Sequence, residues 1–156
     1  MAIRIGYLAA LAAFAMLFVV SSASSEDDVA CTAATATALV QTFVRNYDNG
    51  RVPAMDRQWA QAPGFQWFST RAPGARLGAA AKNRSTLVPY FRTRVRVHEN
   101  LRVTKLGGGY DPQRNLLNFA GKLVRRADDL PARAPQDFKG AAECRAGAPL
   151  LIVWSM

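Results

Sequence analysis

Apolar residues recur at three- and four-residue spacing between positions 32 and 47, where Ala36, Leu39, Val40, Phe43, Val44 and Tyr47 alternate with Thr35, Gln41, Thr42, Arg45 and Asn46. That period predicts an amphipathic helix, ended by Gly50. Pro53 suits the first position of a second, shorter helix carrying Met55 and Trp59. The aromatic run 65–70 lies between Pro63-Gly64 and Pro73-Gly74 and reads as a strand. Residues 71–83 are rich in Gly, Ala and basic groups and read as a loop. A third helix is expected behind a Ser85 or Thr86 cap, with Pro89 tolerated in its first turn and Leu87, Tyr90, Phe91 and Arg94 on one face. The period then changes to that of strands, at 101–106, 115–126, 138–146 and 149–155. Gly107 to Gly109 with Asp111-Pro112, the stretch 128–136, and Gly147 before Pro149 supply the turns, so an antiparallel meander is expected.

A different pattern opens the chain. Arg4 precedes an unbroken apolar run of 13 residues, Leu8 to Val20, and Ser21-Ser22-Ala23 offers small residues for cleavage after Ala23. This organisation predicts an export signal over 1–23, a linker over 24–31 and one domain over 32–156. The rival is an uncleaved anchor, because Ile5 to Ala23 is free of charge for 19 residues and about 20 span a bilayer. Acylation at Cys31 is disfavoured by Asp27 and Asp28. An exported chain with two cysteines pairs them in the ordinary case, which joins Cys31 to Cys144; two separate buried thiols are the alternative.

Half of the residues are hydrophobic, enough for a single core. From Cys31 onward, the 20 basic residues less Arg4 face the 11 acidic ones less Glu26, Asp27 and Asp28, a balance of +11. Nucleic acid is the usual partner of such charge, but no helix-turn-helix, zinc-finger or ribonucleoprotein motif accompanies it. A small apolar anionic ligand or an anionic envelope component fits a secreted, periplasmic or envelope protein better, and solubility alone is the plainer reading. A membrane would be met only through an uncleaved signal segment. Sixteen arginines against four lysines, with abundant alanine, point to a bacterial genome.

The order of elements, with VRNYDNG ending helix one, PYFRTRV in helix three, LNFAGKLVRR in a middle strand and LLIVWS at the end, resembles the nuclear-transport-factor-2-like superfamily, among its small exported, ketosteroid-isomerase-like (SnoaL-like) members. The resemblance covers about residues 32–155. It implies an α+β fold in which N-terminal helices pack in the concave face of a curved antiparallel sheet, a cone-shaped α+β barrel with an apolar cavity, and it allows a homodimer. Isomerases, dehydratases, cyclases and non-catalytic pockets or scaffolds all use that shape, so the fold does not select an activity.

Enzymes of this resemblance use a cavity carboxylate as base with a tyrosine and a protonated aspartic acid as oxyanion donors. Segments 65–70, 115–126 and 149–155 hold no acid, and Glu143 alternates with Cys144 so that it faces away from the helix if the cysteine faces toward it. Asp48 and Asp56 read as capping or surface charges. His98, four residues beyond Arg94, is the weak candidate for a general base, against a helix-end role. One histidine and two paired cysteines leave no metal-ligand set, and no nucleophile elbow, Walker loop or dinucleotide fingerprint is present, so neither metal nor cofactor is expected. Arg94 on an apolar face needs an anion: a ligand's, or an internal one from Asp48 or Glu143, unless it snorkels to water. Trp59, Trp67, Tyr90, Phe91, Arg94 and Phe119 are the expected pocket residues, each also a natural core residue, and Asn83-Arg84-Ser85 matches a glycosylation sequon by coincidence. The expectation is an exported non-enzymatic ligand-binding or protein-interaction module. A small-molecule isomerase or dehydratase is the alternative, and a subunit dimerising through an exposed apolar row on its sheet is the third reading.

Overall fold

A computed structural model of the protein describes residues 31–70, 80–131, 134–145 and 148–156. The expected signal segment 1–23, most of the linker, residues 71–79 and the Gly147 turn lie outside the described residues. The elements run α1 (Ala33–Asp48), α2 (Val52–Arg57), β1 (Trp67–Ser69), α3 (Arg84–Arg96), β2 (Asn100–Asp111), β3 (Leu116–Arg126), β4 (Gln136–Glu143) and β5 (Leu150–Ser155).

The hydroxyl of Thr32 accepts the Thr35 N–H and starts α1, whose buried side is Ala36, Leu39, Val40, Phe43 and Tyr47, the predicted stripe less Val44, which is half-buried. Gly50 then takes a left-handed φ of +62°, which turns the chain sharply into α2. Helix α3 begins before the expected cap. The Asn83 side chain accepts the Thr86 N–H at 3.0 Å while Thr86 Oγ1 accepts the Asn83 N–H, a reciprocal box that starts the helix two to three residues early. Pro89 is therefore the sixth helical residue, not a first-turn one, and it sits on the exposed side where the carbonyl it leaves unbonded meets water.

The four later strands form the expected antiparallel meander. Strand β1 adds to it in parallel, giving the order β1-β5-β4-β3-β2, so the sheet is mixed and open and does not close as a barrel. Register shifts leave Thr104 as an extra residue of β2 and, opposite Ala141/Ala142, Ile152 as an extra residue of β5, the kind of bulge that bends a strand. Gly107 to Gly109 do not form a turn. They pair in β2 with Ala120, Phe119 and Asn118 of β3, and the hairpin closes at Pro112–Asn115, where the Asp111 carboxylate accepts the Gln113 and Arg114 N–H groups. Gly108 is required by packing: a Cβ there would stand 2.8 Å from the Ala36 Cβ, so its bareness lets α1 lie on the strand. Gly108→Ala is expected to lower stability by about 1 to 3 kcal/mol, the usual cost of overpacking, and a urea titration checks it.

One face of the sheet meets the helices. Phe68, Leu117, Phe119, Leu123, Phe138 and Trp154 project onto it and join Phe43, Leu87 and Phe91 in a single buried cluster. Cys31 and Cys144 are disulfide-bonded, Cα atoms 6.1 Å apart, tying the chain ahead of α1 to the end of β4 as expected. No helix among the described residues is long and apolar enough to cross a membrane.

Candidate functional site

The expected pocket on the helix side is occupied by rings. Phe43 lies 4.9 Å from Trp154 and 5.9 Å from Phe91, Phe91 lies 5.5 Å from Phe68, and Trp154 lies 5.4 Å from Phe119, all between ring centroids at ordinary aromatic packing distance. Of the six expected pocket residues, Trp59, Phe91 and Phe119 are core, and Tyr90 packs on Phe68. Only Trp67 and Phe119 border the same hollow, and it lies on the opposite face. The Phe138 and Phe119 rings lie over Gly121 and Gly140, so the space above these small residues is filled. Tyr47 Oη and the Nε1 groups of Trp59 and Trp154 are buried in this cluster without a hydrogen-bond partner among the described residues.

Arg94 faces inward as its helical stripe required, and internal carboxylates meet it. Its Nη1 and Nη2 donate to the two oxygens of Asp129 at 2.7 Å each, and Nε donates to Glu99, whose side chain is fully buried. Arg125 donates to the other Glu99 oxygen and, from Nη2, to the Tyr90 hydroxyl at 3.1 Å. Burial works to lower the Arg94 pKa, but the hydrogen bonds to Asp129 and Glu99 outweigh it and the net shift is upward. Arg125 follows the same balance through Glu99. The phenols of Tyr47 and Tyr90 are raised foremost by burial, so both stay neutral. These groups neutralise one another, and none lines the grooves described below. The internal partners are thus Glu99 and Asp129, where Asp48 and Glu143 were the expected ones.

The other candidate acids and the histidine have local roles. Asp48 accepts the Leu101 N–H at 2.7 Å and is raised in pKa by burial; Asp56 pairs with Arg84; Glu143 pairs with Arg145. His98 does not continue the α3 face, because the helix ends at Arg96 and His98 takes a φ of +48°. Its ring is 80% exposed and lies 2.7 Å from Asp128, so it faces water and no cavity. Among the described residues no group of three or more His, Cys, Asp or Glu could hold a metal ion.

The hydrogen bonds from Arg94 hold the Asp129 pKa below the usual carboxylate value. A depressed carboxylate contributes stability that is present above its unfolded pKa and lost as pH falls through the folded one. Asp129→Asn is expected to flatten the acid limb of the melting-temperature profile below about pH 4, measured by thermal melts in a pH series.

Opposite the helices, strand register orders the other face of the sheet into rows, exposed or half-buried along β2 to β4 and buried at Ser69 and Ser155. One row reads Gly109, Asn118, Ala141, Val153, Trp67; the next reads Gly107, Ala120, Lys139, Ser155, Ser69; the third reads Lys105, Lys122, Asp137. The first is largely apolar and the third is charged. Two adjoining hollows of about 460 and 490 Å³ follow the rows and share Ala120 and Lys139. Smaller grooves lie between α1 and the start of β5, about 320 Å³, and between α1 and β2, about 340 Å³.

No protein-family profile matches the chain, and no curated protein matches it. Solved structures do. A protein of unknown function with a cystatin-like fold from Nostoc punctiforme is similar with a TM-score of 0.58 at 13% identity, over 78% of this chain and 86% of that one. A putative dehydratase from the NTF2-like family of Streptomyces avermitilis gives 0.60 at 10%, over 79% and 92%. An NTF2-like protein with a cystatin-like fold from Novosphingobium aromaticivorans gives 0.58 at 8%, over 78% of each. At such identities the likeness is one of fold.

Proposed function

Given that the protein has the nuclear-transport-factor-2-like fold, we propose that it is an exported, non-enzymatic binding module that uses the outer face of its sheet. One contrast carries the reading: the helix side is filled with packed rings and internally paired charges, whereas the outer face carries an open groove edged by lysines. A general acid or base must reach its substrate. The buried carboxylate, Glu99, is engaged by two guanidiniums, which argues against the isomerase or dehydratase alternative. The paired cysteines favour an oxidising compartment. Export itself predicts cleavage after Ala23, and intact-mass analysis of secreted material checks it: retention of Met1 to Ala23 would favour the anchor.

Tryptophan quenching tests the binding face. Trp59 and Trp154 are buried, while Trp67 is partly exposed, so acrylamide reads Trp67 first. A partner that shields Trp67 supports the outer face. One that binds and leaves Trp67 open to quencher would put the site on the helix side. The row Gly109 to Trp67 also suits a second copy of the chain, and sedimentation velocity over a concentration series distinguishes self-association from ligand binding.

A further inference from the structure

We propose that the outer-face groove binds a single-chain aliphatic anion, with the alkyl chain against Trp67, Val153, Ala120 and the glycines of β2, and the anionic head at Lys139, Lys122 and Lys105. The proposal rests on the outer-face reading above. Three of the chain's four lysines stand on this face, at a constant spacing of 17 residues that the successive hairpins bring together. Lys105 and Lys122 are directly opposite each other, a like-charge pairing that costs a sheet stability. Lysine protects edge strands against aggregation, and that explains Lys105 on β2; Lys122 and Lys139 lie on interior strands, where it explains nothing. Lys122 contacts Asp137 at 2.9 Å, with both side chains at least half exposed, while among the described residues Lys105 and Lys139 make no ion pair.

Two glycines supply an independent observation. Glycine weakens a strand interior, and Gly108 has the packing reason given above. Gly107 and Gly109 have none: a Cβ on either would meet nothing within 4 Å, and neither has a left-handed φ. What their bareness does is keep the floor of the groove open beside Ala120. The volumes of about 460 and 490 Å³ fall in the range of small-molecule sites.

The apolar row selects a chain without hydrogen-bonding groups. Strands β3, β4 and β5 each have neighbours on both sides, so their backbone groups are engaged in the sheet. A peptide laid across them would leave its own amides facing an apolar surface, which is costly; an alkyl chain has none to satisfy. From the lysine row to the Trp67 row is four residues along the strands, about 13 Å, the span of a medium-length alkyl chain.

The test is titration of the purified protein with sodium dodecanoate below its micelle concentration, read by calorimetry and by acrylamide quenching of Trp67. Acetate, dodecyl maltoside and phosphatidylglycerol vesicles serve as comparisons. Saturable one-to-one binding of dodecanoate that shields Trp67 is expected, with acetate silent and the uncharged amphiphile weaker by about tenfold or more. Gly107→Val and Gly109→Val should melt no lower than the parent protein, since β-branched residues suit strands, yet lose at least about tenfold in affinity by filling the groove. Lys139→Gln, an exposed change that leaves the fold alone, should weaken binding by a similar factor and reduce its salt dependence. Binding to vesicles, or self-association, that shields Trp67 without any binding of dodecanoate would overturn the ligand class and leave the outer face standing. Dodecanoate binding that neither Gly109→Val nor Lys139→Gln alters, with Trp67 still quenched, would overturn the outer face as well.

Discussion

Glu99→Gln is expected to destabilise the protein by about 3 to 5 kcal/mol, the usual cost of removing one partner from a buried ion pair. The Glu99 side chain has no exposed surface and receives hydrogen bonds from both Arg94 and Arg125, whose side chains are 10% and 7% exposed. With an amide in its place Arg94 keeps Asp129, but Arg125 is left with the Tyr90 hydroxyl and at most one neutral amide oxygen, so its charge stands uncompensated in the interior. Its guanidinium cannot shed the proton. The loss is therefore the desolvation of an uncompensated cation rather than the value of the pair. It follows that Glu99→Leu combined with Arg125→Met should recover most of the loss, because a buried pair replaced by apolar groups of similar volume is often neutral. Urea unfolding checks both variants. A Glu99→Gln protein within about 1 kcal/mol of the parent would mean that water reaches this network. Affinity for a ligand on the outer face should be unchanged in the folded fraction of either variant, which an active-site carboxylate would not permit.

Removing the disulfide is the second large effect. Cys31 and Cys144 are 113 residues apart, and closing a loop of that length lowers denatured-state entropy by about 5 kcal/mol at room temperature in the chain-entropy model. Cys31→Ser with Cys144→Ser should lower the melting temperature by on the order of 10 to 20 °C for a domain of this size. Thermal melts with and without reductant check it: reductant should shift the parent protein and leave the double variant where it is. An equal response of the two would assign the shift to something other than this bond.

The helices were legible where a single local rule acted. The stripe of α1 matched its buried side at five of six positions, with Val44 half-buried at the margin, because its length gave the 3.6 period room to repeat. The start of α3 is ambiguous in the sequence because Asn83, Ser85 and Thr86 are all capping residues, and only the reciprocal bond between Asn83 and Thr86 selects among them. Three consecutive glycines in β2 carry the usual sign of a turn, and nothing local says that Ala36 of α1 will press on the middle one. Parallel pairing of β1 with β5 joins residues more than eighty positions apart, so three residues of strand had no local signal of their partner.

At the candidate sites the same division holds. Arg94 on an apolar face demands an anion, and that much is visible; Glu99, five residues on, carries no periodic sign because it falls in the short link between helix and strand. Arg125 had a visible sign in the alternation Leu117, Phe119, Leu123, Arg125, which puts it on the buried face of β3. The lysine row was beyond reach, since it exists only once β2, β3 and β4 are in register.

The central claim is that binding belongs to the outer face of the sheet and not to its helix side, and residue-resolved amide NMR of the protein titrated with dodecanoate tests it most directly. Shifts concentrated at Gly107, Gly109, Ala120, Lys139 and Val153, with Phe43, Phe91 and Glu99 unmoved, are the predicted result. Shifts centred on Phe91, Tyr47 and Glu99, with the glycines of β2 silent, would contradict it and return the site to the interior.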